Sequence, residues 1–361
     1  MPPIEIKVLV ADDSQVTRML LVEVLNSDPG IEVIGEVDDG QAACDFLNGS
    51  QSRPDVVLMD IHMPRMDGFE ATRLIMETRP VPIVICTATS DPKELAVAFR
   101  SMEAGALACV QKPVSPTSAE FGPQVKFLLQ TIRLMSEVKV VRRWPRPRVA
   151  SPAPVDNGVS RTPSAAGVRL VGIGASTGGP PVLQTILSGL PKDFKAPLLI
   201  VQHIARGFLP GMVEWLNQTT PLCVRIAMHG ATPLPGHAYI APDDFHLGVS
   251  ASGRLVLTRA PPEGGVRPAV SYLFRSLAQN CGSDAVGVLL TGMGKDGATE
   301  LKLMKDHGAC TIAQDRDSSV VHGMPGEAIQ LGAATHVLPA DMIAGALIAQ
   351  LARRGAAEIT P

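Results

Sequence analysis

Leu170-Val171-Gly172-Ile173-Gly174-Ala175-Ser176-Thr177-Gly178-Gly179 runs an apolar strand straight into a glycine-rich turn with a single serine at its apex, in the spacing G-x-S-x-G. A hydroxyl held at a strand-to-helix turn is a presented nucleophile. Two further apolar runs end in the same manner. Leu198-Leu199-Ile200-Val201-Gln202-His203 offers an imidazole, and Val288-Leu289-Leu290-Thr291-Gly292-Met293-Gly294-Lys295-Asp296-Gly297 offers a carboxylate. In an open α/β sheet such loops meet at the carboxyl ends of the strands.

Serine is a poor nucleophile until a base takes its proton, and an imidazole can do so near pH 7 when a carboxylate fixes its tautomer. Ser176, His203 and Asp296 are the candidates for these roles. Their order, Ser-His-Asp, differs from the Ser-acid-His order of common α/β-hydrolases. The ordinary order would recruit Asp243 or Asp296 with His307, His322 or His336, and none of those histidines directly follows a long apolar strand. Quieter roles are also open. Ser176 or Thr177 could cap the next helix, His203 could be a hydrogen-bonded loop residue, and Asp296 could cap a helix through Glu300-Leu301. Joint placement at three strand ends favours chemistry. Gly172, Gly174, Gly178 and Gly179 are expected to adopt backbone angles closed to other residues, with Pro180 opening a helix whose amino end favours an oxyanion. A dinucleotide site would want an acid where the chain has Gln202-His203, and no Gly-Lys-Ser or Gly-Lys-Thr follows to make a P-loop.

Apolar runs at 169–173, 197–201, 222–227, 238–241 and 285–290 predict an α/β layered domain around these loops. The preceding half has its own rhythm. Strands are predicted at Ile6–Ala11, Glu32–Glu36, Asp55–Met59, Ile83–Cys86 and Ala108–Val110, with a helix from about Gln15 and a last one from about Gln124 to Val140. Five strand-helix units make a doubly wound parallel sheet. Asp12, Asp13 and Asp60 follow its first and third strands, so their carboxylates can converge on a hard divalent cation. Thr87 and Lys112, after the fourth and fifth strands, can offer a hydroxyl and an ammonium to a phosphoryl group there.

A chain of 361 residues with 45% hydrophobic and 19% charged residues has core enough for two such domains. Net charge is −3, but seven Lys or Arg against Asp156 between Lys139 and Arg169 leave about −9 for the remainder. That basic stretch also holds Pro145, Pro147, Pro152, Pro154 and Pro163, which suits a semi-extended tether better than a nucleic-acid surface. Nothing after Arg169 reads as a basic helix-turn-helix, so a response regulator with a DNA-binding second domain has little support. No membrane span or export signal is evident, and six scattered cysteines without C-x-x-C spacing fit a reducing cytoplasm and no zinc site.

Two resemblances follow from these motifs. Asp12-Asp13, Met59-Asp60-Ile61-His62-Met63-Pro64-Arg65-Met66-Asp67-Gly68, Thr87-Ala88 and Lys112-Pro113 resemble the response-regulator receiver domain over about residues 5–125. This implies that Asp60 accepts a phosphoryl group from a histidine kinase of the chemotaxis type. It also implies that Asp12, Asp13, Asp60 and the His62 backbone carbonyl hold Mg2+, and that Thr87 and Lys112 sense the phosphate. The chain departs from the receiver pattern by placing Cys109 where an aromatic switch residue is usual. Gly172 to Pro180, Gln202-His203, Ala238-Tyr239-Ile240-Ala241-Pro242, Leu290 to Gly297 and Gly323-Met324-Pro325 resemble the chemotaxis protein-glutamate methylesterase (CheB) family.

That second resemblance implies a methylesterase domain over 169–355, joined to the receiver by 126–168. Its activity would be hydrolysis of glutamate γ-methyl esters and deamidation of certain glutamines on methyl-accepting chemoreceptors. It implies Ser176 as nucleophile, His203 as base, Asp296 as its acid, Thr177 near the imidazole and the Met293 amide near the oxyanion, with no cofactor in that half. The expected place of action is the cytoplasm, without nucleic acid and without membrane insertion.

Overall fold

The computed structural model describes residues 6–49, 52–88, 91–138, 140 and 170–357. The amino-terminal half alternates β1 (Ile6–Ala11), α1 (Gln15–Asn26), β2 (Ile31–Val37), α2 (Gly40–Gly49), β3 (Val56–Met59), α3 (Gly68–Thr78), β4 (Ile83–Thr87), α4 (Pro92–Ala104), β5 (Ala108–Gln111) and α5 (Phe121–Ser136). Its five strands pair in parallel in the order β2-β1-β3-β4-β5. Val8, Val10, Val56, Leu58 and Val84 face α1 and α5, while Leu9, Ala11, Val57, Met59, Ile83 and Ile85 face α2 and α3. Strands β3 and β4, and β1 beyond Lys7, are buried on both faces, as a position between two helix layers requires. The chain reverses direction across the sheet between β1 and β3, so Asp12 and Asp60, one residue past the register pair Ala11 and Met59, open at one crevice. The predicted helix from Gln124 to Val140 begins earlier, at Phe121, and ends at Ser136. Of the predicted linker, 139 and 141–168 lie outside the described residues.

The carboxyl-terminal half contains β6 (Leu170–Ala175), α6 (Gly179–Ser188), β7 (Leu198–Gln202), α7 (Leu209–Thr219), β8 (Cys223–Ile226), β9 (His237–Ile240), β10 (His246–Val249), β11 (Leu255–Thr258), α8 (Val270–Cys281), β12 (Ala285–Leu289), α9 (Ala298–Asp306), β13 (Cys310–Gln314), α10 (Met324–Gln330), β14 (His336–Leu338) and α11 (Ala340–Ala357). A seven-stranded parallel sheet runs β14-β13-β12-β6-β7-β9-β8, and β10 and β11 form a separate antiparallel hairpin. Val171, Ile173 and Ala175 pack with α6, α7 and α11 on one face, and Leu170, Leu199 and Val201 pack with α8 and α9 on the other. The result is a three-layer α/β domain. Among the described residues no helix is long and apolar enough to cross a membrane.

The hairpin and the strands β13 and β14 are not apparent as apolar runs. In β13 the reason is chemical, because Thr311 and Gln314 are wholly buried and have their polar groups hydrogen-bonded by neighbours, which removes the desolvation cost that hydropathy would assign.

Strand β6 lies at the reversal point of this sheet, with β7 on one side and β12 on the other. Its glycines are set by packing. A Cβ on Gly172 would stand 2.4 Å from Leu277 Cδ1, and one on Gly174 would stand 2.2 Å from Val270 Cγ1, both on α8. The expectation of special backbone angles at these two positions is therefore replaced by close approach of a helix, since neither has a positive φ. Gly174→Ala is expected to lower the unfolding free energy by about 1–3 kcal/mol through overpacking. Urea denaturation would read this, and an unchanged midpoint would mean that α8 can yield.

Candidate active site

Ser176 directly follows β6. Its N–H donates to the Thr291 carbonyl at 3.0 Å, and its own carbonyl accepts from Gly179 N–H at 2.8 Å. The turn closes through Gly178, whose φ of 76° is the left-handed value that glycine tolerates, and α6 starts at Gly179 with Pro180 in its first turn. Gly179 needs no unusual angle. A Cβ there would lie 2.1 Å from Gln202 Oε1, so it is glycine for space.

His203 follows β7, its N–H extending the sheet ladder to the Ala175 carbonyl at 2.9 Å. The register Ala175 to Gln202 places Ser176 and His203 side by side. Asp296 arrives from the loop after β12, and its Oδ2 stands 3.0 Å from His203 Nε2, with side chains 14% and 18% exposed. The Nε2 direction is off the line of a full hydrogen bond. Burial pushes the Asp296 carboxyl up, but the His203 ring beside it and the bonds from Ser271 outweigh this and hold it below the usual carboxylate range. The capping role considered for Asp296 exists, but on another helix. Its two oxygens accept from Val270 N–H at 2.6 Å and Ser271 N–H at 2.9 Å, closing the amino end of α8, whereas α9 begins at Ala298 with Gly297 as its N-cap and no side-chain cap.

The alternative partners lie elsewhere. Asp243 accepts from Gly207 N–H at 2.9 Å and braces the loop after β7. His307 bonds the Leu303 carbonyl at 2.9 Å at the end of α9, His322 faces Ser319 at 3.3 Å, and His336 opens β14 at the surface. Met293 sits in the loop between β12 and Asp296 with 49% of its surface exposed.

Thr291, which the sequence shows only as part of the loop before Asp296, and Gln314, which it does not single out, are both fully buried supports of the turn. The Thr291 hydroxyl lies 2.9 Å from the Thr177 carbonyl and 3.1 Å from that of Val321, and it accepts from Val321 N–H at 2.9 Å. Gln314 Oε1 accepts from Thr291 N–H at 2.8 Å. The one available signal was a threonine ending a fully apolar run.

Ser176, Thr177, Gln202 and His203 line a cavity of about 530 Å³, and the amino-terminal half contributes Phe99, Met102, Cys109 and Phe127 to the same lining. Helix α4 packs on α7. Phe99 stacks on Trp215 with ring centroids 5.6 Å apart, Trp215 Nε1 donates to Glu103 at 2.9 Å, and Arg100 donates to Gln218 at 2.8 Å. Leu95, Phe99 and Met102 thereby join the apolar core of the other half.

The first sheet carries the acidic cluster. Asp12, Asp13 and Asp60 each place a carboxylate oxygen within 4.8 Å of the others, and Lys112 Nζ stands 2.7 Å from both Asp12 and Asp60. Burial raises the Asp60 carboxyl, and the nearby Lys112 ammonium offsets this only in part. Three hard oxygen donors facing one ammonium carry surplus negative charge, which fits a divalent cation such as Mg2+. Thr87 is buried at the end of β4, and His62 is exposed in the loop after Asp60. That loop is folded tightly against α3, since a Cβ on Gly68 would fall 1.9 Å from the Asp60 carbonyl oxygen.

Comparison with known proteins agrees with both halves. Residues 8–119 match the response regulator receiver domain and residues 171–347 match the CheB methylesterase family. Protein-glutamate methylesterase/protein-glutamine glutaminase of Nitrosospira multiformis is 52% identical over 350 residues, 97% of this chain and 98% of that protein. A Geobacter metallireducens protein of the same name, numbered 4, is 52% identical over 95% of this chain and 98% of its own length. The crystal structure of the Thermotoga maritima CheB methylesterase catalytic domain superposes with a TM-score of 0.50 and 41% identity, covering 51% of this chain and all of that one. With both domains matched in order and such identity along nearly the whole length, the chain belongs to the protein-glutamate methylesterase/protein-glutamine glutaminase family, a receiver domain followed by a CheB methylesterase domain.

Proposed function

We propose that this protein hydrolyses glutamate γ-methyl esters, and deamidates specific glutamines, on methyl-accepting chemoreceptors in the cytoplasm, with Ser176, His203 and Asp296 as its catalytic triad. The observation that carries this reading is the convergence of three remote loops: Ser176 and His203 share one cavity wall, and Asp296 stands 3.0 Å behind the imidazole. With Asp296 against one ring nitrogen of His203, the other is left to take the serine proton. The Ser176 oxygen adds to the ester carbonyl, His203 receives its proton and passes it to the departing methoxide, and methanol leaves a glutamyl-serine ester. Water then gives a proton to His203 and its oxygen to the acyl carbon, releasing glutamate and restoring the serine. With glutamine the leaving group is ammonia. Thr177, beside Ser176 in the cavity wall, and the Met293 amide are the proposed supports of the imidazole and the oxyanion.

Residues 5–125 form the proposed regulatory domain, 126–168 the connection and 169–355 the catalytic domain. Asp60 is the phosphoryl acceptor, supplied by a histidine kinase. Asp12, Asp13, Asp60 and the His62 carbonyl would hold Mg2+, which neutralises charge on the incoming phosphoryl group. Thr87 and Lys112 read the phosphate. In the arrangement described, Phe99, Met102, Cys109 and Phe127 share the lining of the cavity that holds Ser176, so an unmodified receiver would obstruct the approach of a receptor helix. Phosphorylation would loosen that wall.

Ser176→Ala is expected to reduce methanol release by about 10⁴- to 10⁶-fold, and retention of most of the activity would end the assignment. Asp296→Asn should keep the fold at neutral pH and slow turnover by roughly 10⁴-fold through loss of tautomer control. Because the Asp296 carboxyl is held low, its contribution to stability is complete above the ordinary carboxyl pKa of about 4 and is lost as pH falls through the lower folded value. Acid unfolding of the Asn variant should therefore depend less steeply on pH below about 4 than that of the parent. A small-molecule phosphodonor with Mg2+ should raise turnover of the full chain but leave Asp60→Asn unchanged, and equal stimulation of both would exclude Asp60 as the acceptor.

A further inference from the structure

Gln202 stands in the sequence as a residue that speaks against a nucleotide site and as a neighbour of His203 in a family motif, with no role of its own, and nothing in the triad chemistry uses it. The structure gives it an unusual position. Its side chain ends β7 with 3% exposure, and its Nε2 donates to the Ser176 carbonyl at 2.8 Å and to the His203 carbonyl at 2.8 Å. One carboxamide thus ties the backbone of the nucleophile to that of the base. The neighbours fix which end is nitrogen, because the reverse placement would set an amide oxygen against two carbonyl oxygens. Its Oε1 has no hydrogen-bond partner among the described residues and lies 2.1 Å from where a Gly179 Cβ would stand, so glycine at that position admits this side chain.

We infer that Gln202 is a positioning residue for the hydrolysis, acting through these two carbonyls to hold the Ser176 and His203 loops in register; the inference rests on the triad reading above. The Ser176 carbonyl already accepts from Gly179 N–H, so the second bond from Gln202 occupies its remaining lone pair. That peptide plane is then locked. In a trans peptide the N–H of Thr177 points opposite to the Ser176 carbonyl, so holding the carbonyl inward also sets the direction of the next donor. The same group fixes the His203 carbonyl, and with it the backbone from which the imidazole reaches Asp296. A glutamate in this place would oppose two carbonyl dipoles with a charge, and a methionine would keep the volume while removing both bonds.

The test compares full-length Gln202→Met and Gln202→Glu with the parent in one phosphorylation state. It measures kcat and KM for methyl-ester hydrolysis, per site titrated by a serine-directed phosphonate, together with the rate of phosphonate labelling. Expected for both variants is a KM within about twofold of the parent, with kcat and labelling rate reduced together by roughly 10²-fold, the cost of a small misplacement of reacting groups. A side chain with a purely packing role would lower the melting temperature and leave kcat per titrated site unchanged, and that result overturns the inference. Should the Met variant fail to fold, the Glu variant, equal in size, decides on the same criteria. If Ser176→Ala retains turnover, the triad reading falls. If Ser176→Ala is inactive while both Gln202 variants keep the parental kcat, only the role of Gln202 falls.

Discussion

Parallel pairing of β6 with β7 on one side and β12 on the other is the constraint on which the rest of this structure depends. A crevice opens where a parallel sheet reverses its order, and the three loops leaving these strands have no other place to meet. Helix α8 presses on the glycine face of β6, and its amino end is closed by Asp296. That carboxylate is therefore bound on two sides. The helix end stabilises its charge within a largely buried site, and the charge in turn faces the imidazole. One residue closes the helix end and stands beside the imidazole, so a substitution at Asp296 removes both contacts.

A similar economy governs the contact between the domains. Phe99 and Trp215 stack within an apolar core that runs without interruption from α4 into α7, and hydrogen bonds from Arg100 and Trp215 ring that contact. Cys109, at the end of the receiver sheet, forms part of the cavity lining. Its burial pushes the thiol well above the usual cysteine range, so it serves as a small apolar group at that wall.

Much of this was legible in the chain. The strands before Ser176, His203 and Asp296 are continuous apolar runs, and strand-end acids announced the first sheet. What the sequence concealed was of two kinds. Strand β13 hid because Thr311 and Gln314 are polar yet buried and bonded, and hydropathy cannot see a partner. The glycines of β6 were visible but read for the wrong cause, since a local pattern does not show that Leu277 and Val270 approach from far along the chain.

The amino-acid sequence by itself determined which groups could do chemistry and that each would stand at a strand end, because apolar runs and turn residues act through neighbours in the chain. Only the tertiary structure decided the rest: that Asp296 caps α8 rather than α9, that Gln202 bridges two loops, and that the receiver domain walls the cavity. Those outcomes are set by contacts between segments remote along the chain, whose geometry exists only after the sheets are assembled.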